Sequence, residues 1–484
     1  MVRKPFIGRN SELSKLKAIY ETPKPNLVVV KGRRRIGKSR LITEFAIETP
    51  KARFFSFSGL AIQDGVTAQH QRDHFARQFA IYMNMPPMTF QDWSDAFNHL
   101  SDQLQKGDIV LFDEISWMAA KDPTFIPKLK AWWDAQELPF LLVLCGSVST
   151  WIEENILNNT ALFGRIALVL TLAPLSIAQS AEFLNMLGFK GSFYDYYKLL
   201  AIFGGIPWYL EQINPNIMAD ETIKRLCLQK DGLLVLEFDR IFHDLFNGKG
   251  AIYKKILNSL KSGMKTLADL RTDIDFGSSG TLSQMMEHLI IAGFVEKLAL
   301  WSIKTEKQAK QSLYRICDPY MRFYLKVIEP NRTKIDRNAF DEIHINQFPG
   351  FEAHMGLQVE YLLLQNRALL LGAMGIAASE VVFDGPYRQS KTVKKQGCQV
   401  DYLVQTKTKN LFLCEFKFKR RELGLEIIDE VKEKMDRLKI PRGYALVPVL
   451  FHFGGVTESV YSSNVFYRII DIGNFLSGSQ PTLG

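Results

Sequence analysis

Hydrophobic and polar positions along this chain follow two rhythms. Residues 27–30, Leu-Val-Val-Val, form a continuous apolar run, and shorter ones stand at 53–57, 109–112, 140–145 and 166–170. Helical spacing separates most of them, first at 10–20, which Pro23 and Pro25 close off, and again at 38–48. Runs apolar on both faces, alternating with helices, predict a mostly parallel sheet covered by helices. From 175 to about 246 the spacing is wholly helical, interrupted by Gly204-Gly205-Ile206-Pro207. Residues 250–305 predict helices at 253–260, 266–271 and 282–292 and then a strand pair opening at Gly293, the order of a winged helix. A connector with Pro319, Pro330 and Asn331 leads to a last domain, with a helix at 351–365 and strands at 397–404 and 411–418 about a polar turn. The expected division is an α/β core at 1–172, a helical segment at 173–248, a winged helix and connector at 249–330, and a C-terminal domain at 345–484. No internal repeat is visible.

Composition changes this picture little. Of 484 residues, 47% are hydrophobic and 23% charged, an ordinary globular balance. No apolar run reaches the roughly 18 residues of a membrane span, and the first ten residues hold no apolar signal core, so no membrane partner is expected. The cysteines at 145, 227, 317, 398 and 414 are odd in number and include no C-x-x-C pair. That argues against a disulfide framework and for a reducing cytoplasm. A net charge of +9 permits nucleic-acid binding without demanding it. Its distribution is more telling, because residues 391–421 hold nine Lys or Arg against two acids, Asp401 and Glu415.

Chemistry concentrates first at Gly32-Arg33-Arg34-Arg35-Ile36-Gly37-Lys38-Ser39, between the strand at 27–30 and the helix that follows, with Arg40 just inside it. Glycines at 32 and 37 let consecutive backbone N–H groups turn toward phosphates. Lys38 would reach the β- and γ-phosphates of ATP, and the Ser39 hydroxyl would join the Mg²⁺ shell. A helix N-terminus adds positive potential at the same place. The run 109–112 ends in Asp113 and Glu114: the first suits the Mg²⁺ shell, the second the base that polarises attacking water. Ser147, after the strand at 140–145, is a candidate contact for the γ-phosphate or the water. Arg165 is a candidate cation for transition-state charge.

Together Phe6-Ile7-Gly8-Arg9 with Glu12-Leu13, the loop GRRRIGKSRL, VLFDEISWM, the CGS strand, FGR and the GGIP turn at 204–207 resemble the archaeal-type ATPases of the AAA-related STAND group. The resemblance covers roughly residues 5–330, including the phrase YRICDPY at 314–320. It implies a P-loop ATPase core with an extra strand between the two motifs, then a helical lid and a winged helix. It also implies that Gly8, Arg9 and Glu12 lie near the adenine, that Pro207 approaches the nucleotide from the lid, and that the chain assembles into a homo-oligomer. The third helix of the winged unit carries Ser283, Gln284, Glu287 and His288 but no Lys or Arg. DNA reading and a packing role therefore both stay open.

In the last domain the two strands place Asp401 beside Glu415, and a period of two sets Glu415 and Lys417 on one face. Two acids with a lysine suit Mg²⁺-dependent phosphodiester cleavage, in which the acids bind metal and the lysine orients water. Glu360, on the helix at 351–365, is a candidate further ligand. The pattern D-x13-E-x-K resembles the PD-(D/E)XK nucleases, which occur at the C-terminus of this ATPase family, although no proline precedes Asp401. The resulting fold class is α/β: a P-loop NTPase parallel sheet with helical lid, a winged-helix domain, and a C-terminal α/β restriction-endonuclease-like domain. The expected function is an ATPase regulating a Mg²⁺-dependent DNA endonuclease. The alternative is a STAND-type signalling or DNA-binding switch whose nuclease fold does not cut.

Overall fold

The computed structural model describes residues 5–147, 149–160, 162–246, 250–277, 279–348, 350–389, 391 and 396–477. It divides into two compact units, Met1–Pro174 with Ile291–Gly293, and Leu175–Ile290 with Phe294–Gly484.

The first unit is built on a five-stranded parallel sheet, β1 (Asn26–Gly32), β2 (Phe54–Ser58), β3 (Ile109–Asp113), β4 (Leu141–Gly146) and β5 (Ile166–Leu172), ordered β2-β3-β4-β1-β5. The central strands β1, β3 and β4 are the continuous apolar runs, and nearly every residue in them is buried. Strands covered on both faces have no polar side to present. One face is covered by the helices Ala68–Met83, Trp93–Ser101 and Phe125–Asp134, whose Phe75, Trp93, Phe97, Phe125 and Trp132 interlock with Phe57 and Phe112 of the sheet. Thr67 and Asp92 cap two of these helices by accepting the backbone N–H of His70 and Ser94.

In the second unit the helices Ile177–Met186, Phe193–Phe203, Ala219–Cys227 and Leu233–Phe246 come first. Gly205 allows a close crossing here, since a Cβ on it would stand 2.0 Å from the Leu175 carbonyl oxygen. The expected lid segment packs on the C-terminal region: the Tyr197 hydroxyl donates to the Ile472 carbonyl at 2.6 Å, and Tyr194 stacks on Phe418. Helices Gly250–Leu260, Leu267–Asp273 and Ser279–Ile291 then lead into an antiparallel hairpin, β6 (Val295–Ser302) and β7 (Lys307–Ile316). The hairpin is anchored from its tip. Trp301 and Ile303 are buried in the C-terminal core, and the Trp301 indole N–H donates to Gln405 Oε1 at 3.0 Å.

That core belongs to a mixed sheet, β8 (Val381–Gln389), β9 (Cys398–Thr406), β10 (Asn410–Phe418), β11 (Ala445–Phe453) and β12 (Arg468–Asp471), in the order β12-β11-β10-β9-β8. β8, β9 and β10 are antiparallel neighbours, whereas β10, β11 and β12 run parallel. The helix Glu426–Arg437 makes the crossover between β10 and β11 and buries Ile427, Ile428 and Val431 against Leu403, Leu411 and Leu413. The helix Phe351–Gln365 has the bounds the spacing predicts. All five cysteines are free, and among the described residues no helix is long and apolar enough to cross a membrane.

Candidate functional site

In the first unit the glycine-rich loop leaves the C-terminal end of β1 at the middle of the sheet. Gly32 has φ 147° and passes so close to β5 that a Cβ would lie 2.8 Å from the Leu172 carbonyl oxygen. Gly37, at φ 92°, opens the helix Lys38–Ile47. Lys38 is buried and donates to the Gly32 and Arg33 carbonyls at 3.2 Å each. Burial lowers its pKa, an effect that the nearby Glu114 and Asp113 oppose. Ile36 is wholly buried and Arg33 nearly so, while Arg34 and Arg35 are half-buried. Arg40 pairs with Glu44 one turn on, at 3.4 Å.

Strand order brings the second motif to the loop. β3 and β1 flank β4, and the Ser39 hydroxyl donates to Asp113 Oδ2 at 2.5 Å. A hydroxyl beside a carboxylate is a fitting donor pair for the Mg²⁺ of a nucleotide complex. Glu114 takes a left-handed backbone, φ 49°, and its carboxylate accepts the Ser147 hydroxyl at 3.0 and 2.9 Å and the Ser147 N–H at 3.2 Å. Ser147, expected on phosphate or water, is thus held by Glu114. Arg9 is buried and donates to the Ala173 carbonyl at 2.8 Å and to Ile36 at 3.4 Å, so it fastens the loop to the chain after β5, with Glu12 at 3.3 Å. Gly8 beside it has φ 72°.

Arg165 departs from expectation. Parallel register pairs Ile166 with Leu27 and Leu172 with Gly32, which puts Arg165 at the edge of the sheet opposite the phosphate loop. Five strand residues separate those edges, roughly 16 Å at about 3.3 Å each. There its guanidinium is half-buried and pairs with Asp134, one contact being 2.9 Å. It does not serve its own chain's loop. Pro207 begins the short helix Pro207–Leu210 in the second unit.

The second cluster lies on β9 and β10. The antiparallel pairing runs to Cys414 opposite Tyr402, leaving Asp401 and Glu415 next in line on the two strands, and Asp401 Oδ2 accepts the Phe416 N–H at 3.0 Å. Lys417, two residues on, lies 3.0 Å from Glu415 Oε1 and donates to Glu430 Oε2 at 2.6 Å. Burial raises the Asp401 pKa, and the neighbouring Glu415 charge raises it further. Sequence reasoning missed Lys434 on the crossover helix, which pairs with Glu415 and stands 3.6 Å from Asp401 Oδ1. Burial opposes its charge, but Asp401 and Glu415 outweigh that and raise its pKa. The available signal was the Glu430–Lys434 spacing of one turn after the E-x-K strand.

Glu360 does not complete a metal triad: among the described residues no three acids, histidines or cysteines gather closely enough to hold an ion. Glu415 and Lys417 engage the crossover helix, and Lys417 also lines, with Phe416 and Phe418, a cavity that Glu360 shares. Burial and then the Asp401 charge push the Glu360 pKa up to about 7, against the pull of Arg315 and Arg322. The cavity holds about 660 Å³ and is also lined by Lys419, Arg420, Arg421 and Tyr194. Lys394 and Lys395 of the basic stretch lie outside the described residues. On the third helix of the winged unit Ser283, Gln284 and Glu287 are exposed, while His288 Nδ1 contacts the Tyr253 hydroxyl at 2.7 Å.

In comparison with known proteins, residues 6–213 match the family model described as an ATPase domain predominantly from Archaea. An uncharacterized protein of Methanocaldococcus jannaschii is 26% identical over 358 residues, 72% of this chain and 75% of that protein. Among solved structures, the RuvB Holliday junction branch migration motor of Thermotoga maritima is 19% identical, covering 60% of this chain and 90% of its own at a TM-score of 0.35. The Aeropyrum pernix ORC2 protein, in its ADPNP–ADP complexes, is 12% identical, covering 70% and 97% at 0.43. Scores this low transfer no function.

Proposed function

We propose that this chain is an ATP-hydrolysing switch that governs a Mg²⁺-dependent DNA endonuclease in its second unit. One observation carries the nuclease half: Asp401 and Glu415 stand next in line on paired strands, with Lys417 on the same face beside Glu415. In the first unit Lys38 and the backbone of the glycine loop bind the phosphates, and Ser39 with Asp113 would hold Mg²⁺. Glu114 orients the attacking water and takes its proton. In the second unit Asp401 and Glu415 would hold Mg²⁺, which when bound supplies a Lewis acid and an activated water. Mg²⁺ is commonly held by one or two carboxylates with waters completing the shell, so an acid pair suffices. Lys417 orients that water and steadies the charge that develops on phosphorus-bound oxygen. Lys419, Arg420 and Arg421 in the adjoining cavity are the groups to bind the phosphate backbone.

Arg165 fits an arginine finger offered to the nucleotide of a neighbouring copy, since its position excludes service to its own. A signalling switch with an inert nuclease fold remains the second reading, favoured by the lysine lodged between the acids. The three helices and hairpin are read as a winged helix used for packing, because Trp301 and Ile303 of the hairpin are buried in the C-terminal core. The deciding experiment is cleavage of plasmid and linear DNA with Mg²⁺ or Mn²⁺, with and without ATP. Cutting that Lys417→Ala abolishes is expected. Equal behaviour of wild type and Lys417→Ala, with ATP hydrolysis intact, would overturn the nuclease reading.

A further inference from the structure

The crossover helix Glu426–Arg437 brings its own charges to the acid pair. Glu430 and Lys434 lie one turn apart, and each meets a residue of the strand motif. Lys417 is engaged by Glu430 and Glu415, and Lys434 by Glu415 and Asp401. Within this cluster Asp401, Glu415 and Glu430 carry three negative charges and Lys417 and Lys434 two positive ones, a net of −1. A divalent ion added with both lysines in place would make that +1, with like charges crowded among half-buried groups. With one lysine withdrawn the sum returns to zero. Two close, buried carboxylates need a counter-charge to remain ionised together. Lys434 supplies it at oxygens a metal would use. Lys417 is the less suited to leave, having a second acid partner in Glu430 and none in Asp401. The Lys434 side chain keeps 26% of its surface exposed, so its four-carbon stem can carry the ammonium to water.

We infer that Lys434 is the resident cation of the Asp401–Glu415 pair, and that a divalent ion enters only by displacing it. This rests on the reading of that pair as a Mg²⁺ site, but not on DNA being cut there. Lys434 then sets how much free metal the site needs, and holds the acids together until the metal comes.

The test is Mn²⁺ binding to the nucleotide-free full-length protein, followed by the loss of the free-ion paramagnetic resonance signal. Asp401→Asn serves as the reference, since it retains only the binding elsewhere on the chain, which is subtracted. Lys434→Met is expected to tighten the Asp401-dependent binding about tenfold or more. Lys434→Arg, which keeps the charge, should bind no tighter than wild type. Lys434→Met should also melt lower than wild type without metal and recover with Mn²⁺. If Lys434→Met does not fold, Lys434→Gln takes its place. Binding that is unchanged or weaker on loss of the lysine overturns the inference, as does the lack of any Asp401-dependent site. Tighter binding without DNA cleavage by any variant would uphold it and sink the nuclease reading instead.

Discussion

Ser147 donates its hydroxyl to both carboxylate oxygens of Glu114, at 3.0 and 2.9 Å, and its backbone N–H to one of them. The end of β4 thereby fixes the orientation of the Glu114 carboxylate at the end of β3, on a residue already in the left-handed region. Ser147→Ala keeps the backbone donor and loses the hydroxyl. The kcat for ATP hydrolysis should fall about tenfold with KM for ATP nearly unchanged, because orientation and not binding is lost. Steady-state hydrolysis at saturating Mg²⁺ checks this. A fall in affinity alone would refute it.

Ser39 and Asp113 meet at 2.5 Å, the pair proposed to hold a nucleotide's Mg²⁺. Ser39→Ala should leave ATP binding in EDTA within about twofold of wild type and abolish most of the gain that Mg²⁺ gives. Titration calorimetry with and without Mg²⁺ separates the two terms.

Arg165 stands at the sheet edge away from its own loop. Hydrolysis by dilute Arg165→Ala protein should equal that of dilute wild type. Any rise in specific activity with protein concentration should disappear in the variant. A drop at high dilution would instead place the arginine in its own chain's chemistry.

Glu360 titrates near 7 in the folded chain against an ordinary value of 4.5. Its folded pKa is raised, so between those values the folded state holds the proton more firmly than the unfolded state does. Stability from this group therefore falls as pH rises from about 4.5 to about 7. Glu360→Gln has no such loss. Its Tm advantage over wild type should open across that window and level off above it. A gap that does not change with pH would contradict the assignment.

Gly205 has no room for a methyl, with the Leu175 carbonyl oxygen 2.0 Å from a built Cβ. Gly205→Ala should cost about 3 kcal/mol. Gly372 is exposed in the helix Arg367–Met374 with nothing within 4 Å, so Gly372→Ala should gain about 0.5–1 kcal/mol. Urea unfolding of the two variants compares a blocked glycine with an open one.

Much of the first unit was legible because its information is local. A strand apolar on both faces, a glycine loop and a helix start are consecutive in the chain, and Asp113 ends a strand of the same kind. The Asp401–Glu415 pairing was legible too, since a short turn fixes a hairpin's register. What escaped depends on contacts between distant residues. Lys434 sits on a polar helix face that reads as solvated, and only the crossover from β10 to β11 lays it over the acids. Glu360 comes from a separate helix, so counting along β10 does not give that it shares a cavity with Lys417 without closing a triad. The placement of Arg165 away from its own loop has a reason present in the sequence. A residue just before a parallel strand lies at the edge away from the strands' carboxyl ends, where ligands bind.

Trp301 is counted in the hairpin by sequence and in the C-terminal core by packing, where its indole N–H donates to Gln405. A fragment beginning at residue 345 would lose that ring and Ile303 from its interior and would carry an apolar wound on its sheet. A fragment ending at 330 would offer the same tryptophan to water and to other chains. Inheritance should follow this: the hairpin and the last sheet are expected to be gained, lost and exchanged between proteins as one piece.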